Sequence, residues 1–229
     1  MPDIVVHGLV KRFGRREALR GIDLTVPDGQ MCGLVGADGA GKTTLLRCIA
    51  GLERPDAGTV EPGRGHEREI GFAQQGFHLY EDLTVAENLE FFGSLFGLSA
   101  SHRLDRAAEL LEFAGLAATM PVLTGHLSGG MKQKLTLVCS LLHAPATVLL
   151  DEPTTGVDPL SRSEFWNLVE QLHADGSTVL VASAYIDEVE RCEHVVFLDA
   201  GRVRLAGSPD DLRGTHPTLE SALLAEMTS

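Results

Sequence analysis

Residues Gly36-Ala37-Asp38-Gly39-Ala40-Gly41-Lys42-Thr43 fit the spacing GxxxxGK[ST] in full. In such a run the glycines let successive backbone N–H groups converge on phosphate oxygens. The helix that follows aims its positive end at the same point. Lys42 can then reach β and γ phosphates, and the Thr43 hydroxyl can ligate magnesium. The bland reading, a glycine-rich turn with a chance lysine, is remote, because the apolar pair Leu34-Val35 leads in and an apolar helix follows. Further along, Asp151 and Glu152 end the apolar run Val148 to Leu150. One carboxylate there can hold magnesium and the next can polarise an attacking water. Alone the pair would read as a solvated loop; beside a phosphate loop it carries weight. The third arrangement is Leu127-Ser128-Gly129-Gly130-Met131-Lys132-Gln133-Lys134. Ser128 can cap a helix whose stripe is Met131, Leu135, Val138 and Leu142, an ordinary core helix. Ser128, Gly129 and Gly130 also leave amide groups bare at a helix start, where they could grip a second phosphate.

The elements that must position these groups follow from periodicity. Short apolar runs alternate with helical patterns, which predicts a mainly parallel α/β core. A helix is expected from Lys42 to Ala50, closed by Gly51. Strands are expected at Val148 to Leu150 and Thr178 to Ala182. Phe165, Leu168, Val169 and Leu172 share one helical face, with Gly176 as cap. His194 to Leu198 and Arg202 to Ala206 flank Asp199-Ala200-Gly201 as a hairpin. Thr84 with Glu87 forms a capping box ahead of Val85, Leu89, Phe92 and Phe96 on one face. Leu104, Ala108 and Leu111 repeat that spacing. Residues 76–130 therefore read as a helical insertion. Residues 61–69 are polar and rich in glycine and proline, and read as a connector.

The 229 residues suit one large domain or two tightly joined lobes. Hydrophobic residues make up 44% and charged residues 22%, a globular balance. The formal net charge of −13 disfavours a nucleic-acid partner. The basic run Lys11, Arg12, Arg15, Arg16 is interrupted by Phe13 and reads as a solvated loop. No apolar run approaches the roughly 18 residues needed to span a bilayer, and no signal peptide is expected. Cys32, Cys48, Cys139 and Cys192 are scattered, which fits reduced thiols rather than a zinc site. His7, His66, His126 and His143 form no recognisable ligand set.

In the order and spacing of the phosphate loop, the LSGGMKQK run and VLLDEPTTGVDP, the chain resembles the nucleotide-binding domains of ATP-binding cassette (ABC) transporters over nearly its whole length. It is most similar to ATPases of the ABC-2 exporter branch. The run from Glu81 to Leu89 and the tail Pro217-Thr218-Leu219-Glu220 carry that likeness, and the phosphate-loop wording resembles the first half of tandem exporters. The resemblance implies a single domain over residues 1–229, built as a P-loop NTPase core with an antiparallel β subdomain and an inserted helical subdomain. It implies ATP and magnesium as ligands, with Thr44 beside Thr43 at the end of the loop. Phe13 would stack on adenine. Gln75, favoured over Gln74, would contact magnesium and the attacking water. Asp158 would couple two sites across a dimer, either a homodimer or a pair with a sister domain. A transmembrane permease would be the further partner, placing the chain in the cytoplasm at the inner face of the cell membrane.

Two positions depart from the family pattern. Ala37-Asp38 replaces the usual Pro-Asn and puts a negative charge near the phosphates. Ala184 stands where the family carries a histidine that contacts the γ-phosphate. Losing one such donor typically lowers a rate by about 10²–10³-fold. Either Ser183, Tyr185 or a partner residue supplies a donor there, or hydrolysis at this site is impaired. Three readings follow: an active transport ATPase, a binding module with little turnover, and a non-transport ATPase acting on DNA or ribosomes. The acidic charge disfavours the last.

Overall fold

The computed structural model describes residues 2–61 and 70–227. The expected connector at 61–69, with His66, lies outside the described residues apart from Glu61, which ends a strand. In chain order the strands are β1 (Pro2–Phe13), β2 (Arg16–Pro27), β3 (Met31–Val35), β4 (Ala57–Glu61), β5 (Ile70–Ala73), β6 (Thr147–Asp151), β7 (Thr178–Ser183), β8 (His194–Asp199) and β9 (Arg202–Gly207). They form two sheets. A small antiparallel sheet has the order β2-β1-β4, and a six-stranded sheet has the order β5-β6-β7-β3-β8-β9. Within the larger sheet every pairing is parallel except that of β9 with β8.

The central strands β3, β6 and β7 are buried at every position. Both faces of the sheet are covered, so these strands read as continuous apolar runs rather than as alternating ones. One face packs α1 (Lys42–Ile49) and the small sheet through Leu19, Ile22, Leu45, Leu46, Leu149 and Leu180. The other packs α4 (Gly129–Leu141) and α5 (Pro159–Ala174) through Leu135, Val138, Val148, Phe165 and Trp166. Burying each such large side chain contributes roughly 1.5–3 kcal/mol. Short helices α6 (Ile186–Val189), α7 (Pro209–Arg213) and α8 (Leu219–Met227) follow, and Leu219 and Leu223 pack against β8.

Between β5 and β6 the chain forms α2 (Val85–Leu95), α3 (Ala100–Phe113) and then α4. The capping box at the start of α2 is present: the Glu87 amide donates to the Thr84 hydroxyl, and the Thr84 amide donates to the Glu87 carboxylate. Asn88 is fully buried one turn on. It accepts from the Tyr80 amide at 2.9 Å, and its side chain donates to the Tyr80 carbonyl at 3.0 Å and the Thr124 hydroxyl at 2.9 Å. The segment that follows Gln75 is thereby tied to the helices.

The face expected for α3 needs correction. Leu104 and Ala108 point to solvent, while Ala107, Leu110 and Leu111 are buried. Leu111 is buried as expected and belongs to both faces, and Ala107 with Leu110 sits at helical spacing from it as well as Leu104 with Ala108 does. The basic run near the N-terminus is a turn only at Arg15; its other members lie on strands. Lys11 lies on β1 and pairs with Glu53 at 3.1 Å, while Arg12 pairs with Glu17 across the hairpin at 2.9 Å.

Candidate nucleotide site

The site is built where β3 and β6 end, on either side of β7 in the parallel sheet. From β3 the chain passes through residues 36–41 into α1. Gly41 sits at the helix start with φ 113°, a conformation that glycine adopts without strain. No side chain caps α1, so its first amide groups are left for a ligand. The Lys42 side chain is almost fully buried. Its Nζ donates to the Gly36 carbonyl at 2.7 Å and lies 3.4 Å from a Glu152 carboxylate oxygen. The Thr43 hydroxyl donates to Asp151 Oδ1 at 3.1 Å.

Asp151 is buried at the end of β6, and burial pushes its carboxyl above the ordinary carboxylate range, opposed by the Thr43 hydrogen bond and Lys42. Its Oδ2 is buried without a hydrogen-bond partner among the described residues. A carboxylate oxygen held this way is costly unless a cation or donor meets it. Glu152 follows with φ 47°, a left-handed conformation for a non-glycine residue, fixed by its amide donating to the Ala182 carbonyl at 2.8 Å. Such strain costs about 1–3 kcal/mol and clusters at functional sites. Gln75 Nε2 donates to Glu152 Oε2 at 2.9 Å, and the Thr155 hydroxyl approaches the same oxygen at 3.4 Å. Gln75, rather than Gln74, is the residue that lines the cleft.

These side chains enclose a cleft of about 620 Å³ lined by Phe13, Asp38, Gly39, Gly41, Lys42, Thr43, Thr44, Gln75 and Glu152. Ala40 lies buried beneath, its carbonyl accepting from the Gly201 amide at 2.9 Å. The Phe13 ring is half exposed at the mouth. Three lining residues were not read from the sequence as part of the site: Arg16, Ala18 and Thr155. Arg16 belonged to a basic run that looked solvated, and nothing in the local spacing of Thr155 marks it.

Ser128, Gly129, Gly130 and Asp158 do not line this cleft. They stand instead at the starts of α4 and α5, which approach each other at Gly130 and Ser161. Ser128 caps α4 by accepting from the Met131 amide at 3.3 Å, and Asp158 caps α5 by accepting from the amides of Leu160 and Ser161. Those amides, the Ser161 amide first, hold the Asp158 carboxyl below its ordinary range. A Cβ on Gly130 would stand 2.4 Å from the Ser161 side chain, so the close approach of α4 to α5 demands glycine there. One chain thus carries a loop-and-carboxylate cleft and, apart from it, a pair of adjoining helix starts.

Around position 184 the structure narrows the options. The Ser183 hydroxyl donates to buried Glu188 and accepts from the Tyr185 amide. Thr154 and Arg162 donate to the same Glu188 carboxylate. The Tyr185 ring lies beneath the Arg162 guanidinium at 4.3 Å. Ser183 is therefore already committed within the chain, and Ala184 itself is exposed.

A parallel α/β sheet with a glycine loop feeding a helix, flanked by an antiparallel sheet and a helical segment, defines a P-loop nucleotide-binding cassette. The profile described as ABC transporter matches residues 19–155, and the chain belongs to that family. It is 42% identical over 222 residues to the probable multidrug ABC transporter ATP-binding protein YbhF of Escherichia coli (strain K12), covering 93% of this chain and 38% of that protein. The chain thus spans under two fifths of YbhF. It is 40% identical to the Nod factor export ATP-binding protein I of Ralstonia nicotianae, covering 92% of this chain and 68% of that one. Identity to the daunorubicin resistance ATP-binding protein DrrA3 of Streptomyces coeruleorubidus is 43%, with 92% and 69% covered. Among solved structures, an ATP-binding subunit of an ABC transporter superposes with a TM-score of 0.86 at 30% identity, covering 99% of both chains. The dimeric bacterial cassette MJ0796 superposes with a TM-score of 0.81 at 27% identity, covering 90% of this chain and 98% of that one.

Proposed function

We propose that this chain binds Mg·ATP in the cleft and couples its binding and hydrolysis to export through a separate membrane permease. The observation that carries the reading is the convergence of Lys42, Thr43, Gln75 and Glu152 on one cleft behind a glycine loop, with buried Asp151 held against Thr43. Phe13 offers its ring to adenine. The amides of the loop and of the first turn of α1 bind the phosphates, with Lys42 on the β and γ groups. The orphaned Asp151 Oδ2, with Thr43 and Gln75 nearby, is a donor set suited to magnesium. Bound there, the ion would neutralise phosphate charge. Glu152 orients and polarises the attacking water, and Gln75 fixes its carboxylate.

The cleft is open, and residues 128–130 lie apart from it. We infer that these residues of a second cassette close over the γ-phosphate, with Asp158 linking the two sites. That partner is a second copy or a sister domain, and MJ0796 is a dimeric cassette of the same fold. Tyr80, ahead of α2, and Phe91 on α2 are exposed and in edge contact at 4.7 Å, and Leu95 is exposed one turn beyond. No helix among the described residues is long and apolar enough to cross a membrane. This exposed apolar face supports docking of a permease, which would hold the chain at the inner face of the membrane. With cysteine at Leu95 and a short bifunctional cross-linker in native membranes, the expected adduct is a membrane-spanning protein by mass spectrometry. Labelling that yields no such adduct, at full modification of the cysteine, would overturn the permease reading.

A second reading is favoured by Ala184 and by the commitment of Ser183 to Glu188. On that reading ATP closes the dimer but turns over slowly at this site.

A further inference from the structure

We propose that Arg16 is a further phosphate-contacting residue, gripping the sugar-proximal end of the polyphosphate and offsetting the charge of Asp38. The inference rests on the nucleotide reading of the cleft and adds a contact that none of the motifs contains.

The geometry begins at the hairpin of β1 and β2. Phe13 and Arg16 are partners across its end, joined by Gly14 and Arg15. Directly opposed residues in an antiparallel pair present their side chains on the same face. Arg16 therefore stands beside the ring that closes the mouth, and both line the cleft. Its guanidinium reaches the tip of the phosphate loop, where it donates to the Gly39 carbonyl at 3.4 Å. The Phe13 ring marks one end of the cleft, and Lys42 with Glu152 the other. A nucleotide laid between them passes its first phosphate beneath Arg16.

Charge supplies the second argument. The charged residues lining the cleft are Arg16 and Lys42 on one side, Asp38 and Glu152 on the other, so two positive and two negative charges sum to zero. Lys42 already faces Glu152 at 3.4 Å. Asp38 adds a carboxylate at the loop tip, where a polyphosphate must approach. Arg16 is the cation that remains to meet it, and a guanidinium presents a planar fork suited to phosphate oxygens. Because Arg16 is exposed and its contact with Gly39 is long, its removal leaves the fold intact.

Equilibrium titration of the full chain with Mg·ATP, at two salt concentrations, tests the proposal. Arg16→Gln is expected to weaken binding about tenfold, equivalent to 1.4 kcal/mol, and to flatten the salt dependence. Arg16→Lys should recover most of that loss. Asp38→Asn should tighten binding, and tighten it more in the Arg16→Gln background, where the carboxylate is unopposed. The loss should be the same for Mg·ADP, which keeps the first phosphate. If Arg16→Gln binds within twofold of the parent while Lys42→Ala does not, the inference is wrong and the phosphate-loop reading stands. A loss confined to ATP would also overturn it, since the contact would then lie at the far end of the chain of phosphates. A parent that fails to bind Mg·ATP would overturn both.

Discussion

Glu152→Gln is expected to lower ATP turnover by about 10²–10⁴-fold, the usual contribution of a positioned general base, while Mg·ATP binding persists. Glu152 is held on three sides: its backbone amide donates to the Ala182 carbonyl, one carboxylate oxygen accepts from Gln75, and the other faces Lys42. Glutamine keeps the volume and can keep the Gln75 contact, so the change removes a charge rather than a shape. Without that charge a water near the γ-phosphate has no base. Lys42 also loses its anionic neighbour and turns wholly toward phosphate. Bound ATP should then remain uncleaved, and cassette pairs closed by it should persist. Product release at saturating Mg·ATP, read beside equilibrium binding, checks both halves. Turnover unchanged in the variant would remove Glu152 from the mechanism.

Ala184→His is expected to raise turnover by about 10²–10³-fold, the size of one preorganised donor at a developing charge. The segment that carries position 184 is anchored from behind, since Ser183, Thr154 and Arg162 all donate to the buried Glu188. A histidine introduced there therefore sits on a fixed backbone, and Ala184 is exposed, so an imidazole displaces no core. The Ser183 hydroxyl is not free to supply the missing donor. Binding affinity for Mg·ATP should move little, because the added contact matters chiefly in the transition state. Equal turnover in parent and variant would mean that another group, from Tyr185 or from a partner chain, already does this work.

What the sequence revealed was local. The loop at residues 36–43, the capping box of Thr84 and Glu87, and the turn at Asp199-Ala200-Gly201 each depend on a few neighbouring residues, and each stands as expected. The all-buried strands β6 and β7 were legible because covered faces leave apolar runs, whereas of β3 only the pair Leu34-Val35 was read. The strands β1 and β2 were not named from the pattern. Their register shifts several times along the pairing, which breaks the two-residue alternation. Arg16 went unrecognised for a related reason: only the hairpin closure brings it beside Phe13 and above Gly39. The commitment of Ser183 to Glu188 spans a helical turn that periodicity does not reveal. On α3, Leu111 is buried as expected, and only the packing chose Ala107 and Leu110 over Leu104 and Ala108 as its neighbours in the core.

The central claim is that the cleft behind Gly41 is a Mg·ATP site, and calorimetric titration of the parent chain beside Lys42→Ala tests it most directly. Lys42 is buried, faces the cleft and holds the loop through the Gly36 carbonyl. The account predicts saturable binding of one Mg·ATP per parent chain. It predicts a loss of about 10–150-fold in Lys42→Ala, the range for one charge-assisted contact. Binding of equal strength in the two proteins, or none in the folded parent, would contradict it.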